Sequence, residues 1–106
     1  ESNGVPSESI ISDAVIIPNA TGLHARPAAV LAALAKKFDA TIRLLKGEVS
    51  ANAKSVVGIM GLDIAYQDKV QLSAAGSDAQ EAIAEILPQL QSGLGDEGTK
   101  PILSPA

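Results

Sequence analysis

The chain has 106 residues, of which 46% are hydrophobic but only 2% aromatic, and its formal net charge is -4. This length and composition predict one folded domain with an aliphatic core, and the acidic balance with so few aromatic side chains argues against nucleic-acid binding. The chain has no cysteine and one histidine, which excludes disulfides, thiol catalysis and a multi-histidine zinc site within one chain. We find no apolar run of membrane-spanning length and no signal peptide, so we expect a cytoplasmic protein without membrane insertion.

Helix and strand patterns alternate along the chain. Short β-branched or alternating apolar stretches predict the strands, and a run of Ala and Leu predicts the first helix. In chain order the predicted elements are a strand at 14–18, a helix over 25–37, strands at 41–46 and 48–52, a short helix near 55–62, a strand over 69–75 and a helix that begins after Ser77.

The last helix carries two further signals. Ser77 is followed three residues later by Gln80, which predicts a capping box at the helix start. Pro88 lies inside the same helical pattern, where a proline removes a backbone hydrogen bond and clashes with the preceding turn. We therefore expect a kink or an early end near Leu87.

The order of elements predicts an α+β fold. We expect an open-faced β-sandwich in which a four-stranded, mainly antiparallel sheet carries three helices on one face. The domain is expected to span residues 12–92. The remaining residues, 1–11 and 93–106, are rich in Ser, Gly, Glu and Pro, which is typical of linkers or loose termini.

The single histidine, His24, stands at or just before the start of the first helix. Gly22 permits a sharp turn into this position, and Pro27 is tolerated because amides in the first helical turn have no intrahelical partner. Such a helix end binds anions through its amides and its dipole. A phosphoryl group on His24 is thus expected to contact the amides of Ala25 and Arg26 and the Arg26 guanidinium. The alternative is a capping or surface histidine.

Two stretches of the chain resemble one known family. Residues 22–28, Gly-Leu-His-Ala-Arg-Pro-Ala, resemble the active-site signature of the histidine-containing phosphocarrier protein (HPr) family of the bacterial phosphoenolpyruvate-dependent sugar phosphotransferase system. Residues 53–60, Ala-Lys-Ser-Val-Val-Gly-Ile-Met, resemble the regulatory-serine region and short second helix of that family. With the compatible order of elements, the resemblance covers about residues 12–92.

The resemblance implies a phosphoryl carrier rather than an autonomous catalyst. His24 would accept a phosphoryl group on its Nδ1 atom from phospho-Enzyme I and pass it to a sugar-specific IIA domain, with Arg26 stabilising the group. No cofactor or metal is expected on the carrier, since Mg²⁺ would serve only the upstream Enzyme I. The isolated domain is expected to be a monomer.

The resemblance also implies regulation and partner docking. Ser55 matches a serine that an HPr kinase phosphorylates in some bacteria, and its alternative role is the N-cap of the short helix. An apolar docking patch is expected beside the active site, with lysines at its rim, although we expect at least one of the apolar residues to pack in the core instead. The apolar residues are Val56, Val57 and Met60, and the lysines are Lys36 and Lys54.

Other functions within this resemblance stay open. One alternative is a regulatory HPr-like binding module that is controlled by Ser55 phosphorylation and binds a regulatory protein, and another is a nitrogen-branch phosphocarrier. Residues 92–97 resemble the connection by which fused members join HPr to Enzyme I. We therefore expect a domain of a multiphosphoryl transfer protein, of the fructose branch.

Some residues depart from the family pattern. Ala25 stands where many members have a serine or threonine, so no hydroxyl can assist the phosphoryl group there. Asp63 and Gln67 stand where glycines are more common. The family pattern therefore does not predict the shapes of the loops that contain these two residues.

Overall fold

Strands and helices alternate through the chain, and the computed structural model describes residues 9–96 and 98 of it. The helices and strands lie close to their predicted positions, except that the first predicted strand is shorter, at Val15–Ile16, and an additional strand, Ile10–Ile11, precedes it. In chain order the elements are β1 (Ile10–Ile11), β2 (Val15–Ile16), α1 (Ala25–Ala35), β3 (Thr41–Lys46), β4 (Val49–Asn52), α2 (Val56–Gly61), β5 (Lys69–Ala75) and α3 (Ala79–Gln91).

The strands form one antiparallel sheet in the order β1-β5-β3-β4, and β2 pairs with β5 beside β1. Arg43 marks the register at the centre, because it pairs with Asn52 of β4 and with Ser73 of β5. The predicted antiparallel arrangement is thereby confirmed. The described residues contain five strands rather than four because the chain leaves the sheet between β1 and β2.

Ser12 causes the interruption after β1. Its amide donates to the Leu72 carbonyl at 2.8 Å, as in a regular ladder, but its hydroxyl accepts the Leu72 N–H at 2.9 Å in place of a backbone carbonyl. The Gln71 side chain binds the free Ser12 carbonyl at 3.0 Å. Because the serine hydroxyl replaces a backbone carbonyl as acceptor, the backbone groups at this point stay hydrogen-bonded while the chain bends away from the sheet.

One face of the sheet and the helices enclose the core. Side chains in β5 alternate between the two faces, as expected for a half-buried strand, and the helices contribute aliphatic residues to the same side. Core side chains that are at most 1% exposed include Ile42 and Leu44 of β3, Val70 and Leu72 of β5, Leu31 of α1, Ile59 of α2, and Ile86 and Leu90 of α3. The predicted open-faced sandwich with an aliphatic core is confirmed.

The predicted capping box at Ser77 and the predicted early end of α3 near Leu87 are wrong, whereas the alternative of a kink near Leu87 stays a prediction. The N-cap residue is Asp78, not Ser77, and its carboxylate accepts the amides of Asp39 and Ala40, both at 2.8 Å, instead of capping its own helix. The helix also continues past Pro88 to Gln91. Pro88 itself is exposed while Leu90 is fully buried, so packing of the last turn outweighs the hydrogen bond that the proline cannot donate.

After α3 the chain turns back onto the domain through a segment that we call the C-terminal strap, residues 93–96 with Gly98. Three consecutive residues, Gly93, Leu94 and Gly95, have φ values of 93°, 58° and 79°, and the Leu94 amide donates to the Gln89 carbonyl at 2.8 Å. Leu94 is only 2% exposed. The strap therefore packs against the domain beyond residue 92, where the sequence predicted a linker.

At the other end of the domain, Ile10 and Ile11, which precede the predicted start at residue 12, pair with Ala74 and Ser73 of β5. Other parts of the predicted linkers, residues 1–8, 97 and 99–106, lie outside the described residues. The longest described helix, α3, has 13 residues, and no helix in the described part of the chain is long and apolar enough to cross a membrane.

Candidate active site at the start of the first helix

A tight loop delivers His24 to the start of α1. The Gly22 amide donates to the Asn19 carbonyl at 2.9 Å, and the Leu23 amide donates to the Ile64 carbonyl at 3.1 Å. Gly22 has a φ of 73°, and a Cβ atom at this position would lie 2.1 Å from the Ile64 carbonyl oxygen. Only glycine fits both the backbone angle and this close approach, so Gly22 determines where the next two residues lie.

His24 is the N-cap residue of α1, as predicted. Its backbone is extended, with φ -76° and ψ -167°, and its carbonyl accepts the Ala28 amide at 3.0 Å. Its side chain makes no capping hydrogen bond, which contradicts the alternative of a capping histidine. The amides of Ala25 and Arg26 lack intrahelical partners by the geometry of a helix start, and the imidazole is 42% exposed beside them.

Arg26 and Pro27 occupy opposite sides of the first turn of α1. Arg26 is exposed and Pro27 is buried. The predicted contact of the Arg26 guanidinium with a phosphoryl group stays a prediction, and an exposed arginine two residues after His24 is compatible with it.

Asp96 of the C-terminal strap completes the surroundings of the imidazole. Its Oδ2 atom lies 3.5 Å from Nε2 of His24, and the Asp96 side chain is only 12% exposed. The Gly98 amide, the Asn19 side chain and His24 hold the pKa of the Asp96 carboxyl below its usual range, against the opposing effect of desolvation. The site therefore places an ionised carboxylate beside one nitrogen of the histidine.

Asn19 links the strap to the loop before α1. Its side chain is fully buried, and its Nδ2 atom donates to Asp96 Oδ2 at 2.9 Å and to the Gly93 carbonyl at 3.0 Å. The Ala20 amide donates to the Gly98 carbonyl at 2.8 Å. Sequence reasoning missed both Asn19 and Asp96, although a leucine between glycines near Asp96 is a signal for a buried turn.

Ser55 is the N-cap residue of α2, which confirms one of the two roles predicted for it. Its hydroxyl accepts the Gly58 amide at 3.0 Å. The side chain is half-buried. Phosphorylation of Ser55 stays a prediction.

The predicted docking patch divides into exposed and packed residues. Val57 is 82% exposed and Met60 is 45% exposed. Val56 is half-buried and packs against the core, as we expected for at least one of the three. Large exposed apolar side chains on a short helix are suited to a transient interface.

The two predicted rim lysines differ in their environments. Lys36 is exposed and forms the C-cap of α1. Lys54 is half-buried, and its Nζ atom donates to the Phe38 carbonyl at 2.7 Å. Lys54 therefore joins the loop after α1 to the start of α2, and its contact with a partner stays a prediction.

Comparison with known proteins identifies the family. A family profile described as the PTS HPr component phosphorylation site matches residues 11–92. A crystal structure of HPr-C-His from Thermoanaerobacter tengcongensis has a TM-score of 0.74 and 40% identity, and the match covers 84% of this chain and 97% of that one.

Two longer relatives also match. The phosphoryl donor subunit DhaM of the PEP-dependent dihydroxyacetone kinase from Providencia stuartii is 41% identical over 90 residues, which cover 85% of this chain and 19% of the relative. The multiphosphoryl transfer protein of Vibrio cholerae is 40% identical over 83 residues, which cover 76% of this chain and 21% of the relative. The chain thus spans about a fifth of the length of each. The profile match, the shared fold and an exposed histidine at a helix start together establish that the chain belongs to the HPr family of phosphotransferase-system phosphocarriers.

Proposed function

We propose that this domain accepts a phosphoryl group on Nδ1 of His24 from phospho-Enzyme I and passes it to a sugar-specific IIA domain. The observation that carries the proposal is the position of His24, the only histidine of the chain. It is exposed at the N-cap of an 11-residue helix, and it leaves the first amides of that helix uncapped. Membership of the HPr family supports the carrier chemistry.

The proposed reaction is a reversible in-line transfer between two histidines. The lone pair on Nδ1 of His24 forms the new N–P bond while the N–P bond to the donor histidine breaks and its electron pair returns to the donor ring. The departing bond and the new bond lie on opposite sides of the phosphorus atom, so the carrier and the partner must face each other. The exposed side chains of Val57 and Met60 are suited to that docking.

The helix start supplies the binding site for the transferred group. The amides of Ala25 and Arg26 and the Arg26 guanidinium are available to donate to phosphoryl oxygens. A helix-dipole contact at an exposed site contributes only about 0.3–1 kcal/mol, and a hydrogen bond to a charged group contributes about 1.5–3 kcal/mol. These magnitudes suit a carrier, because the group must be held between partners and then released.

The domain is proposed to act within a longer phosphotransfer protein. The lengths of the DhaM and multiphosphoryl transfer relatives support this proposal, since each contains this region as about a fifth of its sequence. We consider two acceptors. We favour a IIA domain of the fructose branch, and the similarity to DhaM supports dihydroxyacetone kinase as the second candidate.

Labelling tests the identity of the phosphorylated residue. The chain is incubated with radiolabelled phosphoenolpyruvate, Enzyme I and Mg²⁺, and we expect acid-labile label on the wild type and none on His24→Ala. Ser55→Ala is the control variant, because it removes the other proposed phosphorylation site and should be labelled like the wild type. Equal labelling of His24→Ala and the wild type would refute the proposal.

Chase experiments then separate the acceptors. The labelled chain is mixed with a fructose-specific IIA domain, a nitrogen-branch IIA domain or dihydroxyacetone kinase, and the loss of label is followed over time. Rapid loss to the fructose IIA domain supports the favoured branch, and rapid loss to another acceptor refutes it. Ser55→Asp tests the regulatory alternative, because a charge beside the docking patch is expected to weaken binding to Enzyme I.

A further inference from the structure

The carboxylate of Asp96 is fixed in front of His24 by several contacts. Its Oδ2 atom accepts Asn19 Nδ2 at 2.9 Å, and its Oδ1 atom accepts the Gly98 amide at 3.0 Å. The remaining neighbour of Oδ2 is Nε2 of His24 at 3.5 Å. Both Asn19 and Leu94, which hold the strap, are buried. Asp96 is therefore a supported residue rather than a loose surface aspartate.

We propose that Asp96 is a positioning residue for phosphoryl transfer, whose carboxylate accepts a hydrogen bond from the Nε2–H group of His24 and so leaves the Nδ1 lone pair free to attack phosphorus. The inference rests on the proposed function of His24 and adds a residue that neither motif of the sequence contains.

A carboxylate beside Nε2 determines the state of Nδ1, because the two nitrogens of a neutral imidazole share one proton. In the neutral ring one nitrogen carries a proton and the other carries a lone pair. The hydrogen-bond partner of either nitrogen determines which of the two carries the proton. A carboxylate accepts hydrogen bonds and has no proton to donate when ionised. Asp96, whose pKa is lowered chiefly by the Gly98 amide, therefore stabilises the tautomer with the proton on Nε2.

The separation of 3.5 Å is longer than a formed N–H···O bond of about 2.7–3.2 Å. Hydrogen bonds of catalytic groups often shorten when the reaction partner binds. Rotation of the exposed imidazole toward the strap would close this gap without movement of the backbone.

Asp96 also acts on the charge that develops during transfer. When Nδ1 forms the N–P bond, Nε2 keeps its proton and the ring gains a positive charge, which the adjacent carboxylate stabilises. When the group moves on, the N–P electron pair returns to Nδ1 and the ring leaves as neutral imidazole. The proton stays on Nε2 throughout, so the step needs no further acid or base.

The first test measures the tautomer without any phosphorylation. Because the chain has a single histidine, ¹⁵N-histidine labelling gives one Nδ1 and one Nε2 signal, whose chemical shifts report the proton position. We expect Asp96→Asn to raise the ratio of the Nδ1–H to the Nε2–H form about fivefold, since a charged acceptor is replaced by a neutral one. An unchanged ratio overturns the inference.

The second test separates positioning from a merely structural role. With Enzyme I as catalyst and the 106-residue chain as substrate, Asp96→Asn should lower kcat about tenfold, in line with the loss of one charge-assisted contact, and leave KM within about twofold. Asp96→Glu should recover part of kcat. A raised KM with unchanged kcat, or a kcat loss matched by a lower melting temperature, overturns the inference.

Asp39→Asn is the matched control. It makes the same change of charge at an exposed residue beyond the C-terminal end of α1, about 16 Å of helix from His24. It should leave the tautomer ratio and kcat unchanged, and an effect equal to that of Asp96→Asn contradicts a local role. Labelling of His24→Ala would refute the proposed function, whereas the tautomer measurement would still report on Asp96.

Discussion

Replacement of Gly22 by alanine is the sharpest test of how the active-site loop is built. The φ of 73° is a left-handed conformation, which costs an L-residue about 1–2 kcal/mol. The new Cβ would lie 2.1 Å from the Ile64 carbonyl oxygen, so that carbonyl must move away. Its hydrogen bond from the Leu23 amide, worth about 1 kcal/mol, is then lost.

We therefore expect Gly22→Ala to lower the free energy of unfolding by about 2 kcal/mol, because the strain and the lost hydrogen bond together cost about 2–3 kcal/mol and the gain from a stiffer unfolded chain offsets less than about 1 kcal/mol. For a domain of this size the melting temperature should fall by about 8–16 °C. The assay is urea unfolding followed by circular dichroism at about 222 nm, with the m-value as a check that the transition stays two-state.

Alanine substitutions at two other glycines separate the cost of backbone strain from the cost of the steric clash. Gly47 has a φ of 61° but no atom within 4 Å of the place that a Cβ would occupy, so Gly47→Ala should cost only the backbone strain, about 1 kcal/mol. Gly61 ends α2 with open space around it, and Gly61→Ala should be neutral or stabilising by up to about 1 kcal/mol. If Gly22→Ala is no more destabilising than Gly47→Ala, the close approach to Ile64 is not a constraint.

Substitutions at three other residues test separate parts of the structure by the same unfolding assay. Leu94→Ala should cost about 2–5 kcal/mol, because the strap buries this side chain, and a cost below about 0.5 kcal/mol would contradict its packing. Ser55→Ala should cost about 1 kcal/mol through loss of the α2 cap, whereas Ser55→Asp should keep most of that stability. The Ala65 amide, followed by Lys46, lowers the pKa of Asp68. This stabilisation is complete above the unfolded pKa of about 4 and disappears as the pH falls through the lower folded value. Asp68→Asn should therefore flatten the loss of stability in acid, and an unchanged pH profile would contradict this.

Local signals suffice to predict the order of the elements and the position of the single histidine, whereas its proposed role depends on the family resemblance. The α1 pattern and the Gly22 turn predict His24 at a helix start, and the structure places it at the N-cap. The strands β3 and β5 have their predicted bounds because alternation and β-branched residues are visible within a few positions. These features depend on neighbours in the sequence, so a short stretch of residues carries the information.

Features that depend on distant residues escape prediction. Asp78 caps no amide of its own helix because the amides of Asp39 and Ala40 compete for its carboxylate. Asp96 belongs to a glycine-rich stretch whose composition resembles a linker, and only the burial of Leu94 and the partner Asn19 bring it to His24. Tertiary contacts of this kind leave little trace in local composition.

The departures from the family pattern show how tertiary structure overrides a local preference. Asp63 and Gln67, at positions where glycines are more common, keep left-handed φ values of 55° and 75°. The Asp63 carbonyl accepts Lys46 Nζ at 2.8 Å, and the Gln67 amide donates to the Ile17 carbonyl at 2.9 Å. Such contacts hold a conformation that costs a non-glycine residue about 1–2 kcal/mol.

At the uncapped start of α1, the stability of the helix competes with the availability of its first amides for the proposed phosphoryl group. A serine, threonine or aspartate at an N-cap position typically adds about 1 kcal/mol by satisfying an amide with its own side chain. His24 supplies no such bond, so the helix forgoes that stabilisation. The amides of Ala25 and Arg26 stay available for the proposed phosphoryl group, whereas a capping side chain at residue 24 would occupy the Arg26 amide, because the next residue, Pro27, has no N–H. The helix is thus less stable with His24 than with a capping residue at this position. The same absence of a cap leaves the first amides of α1 available.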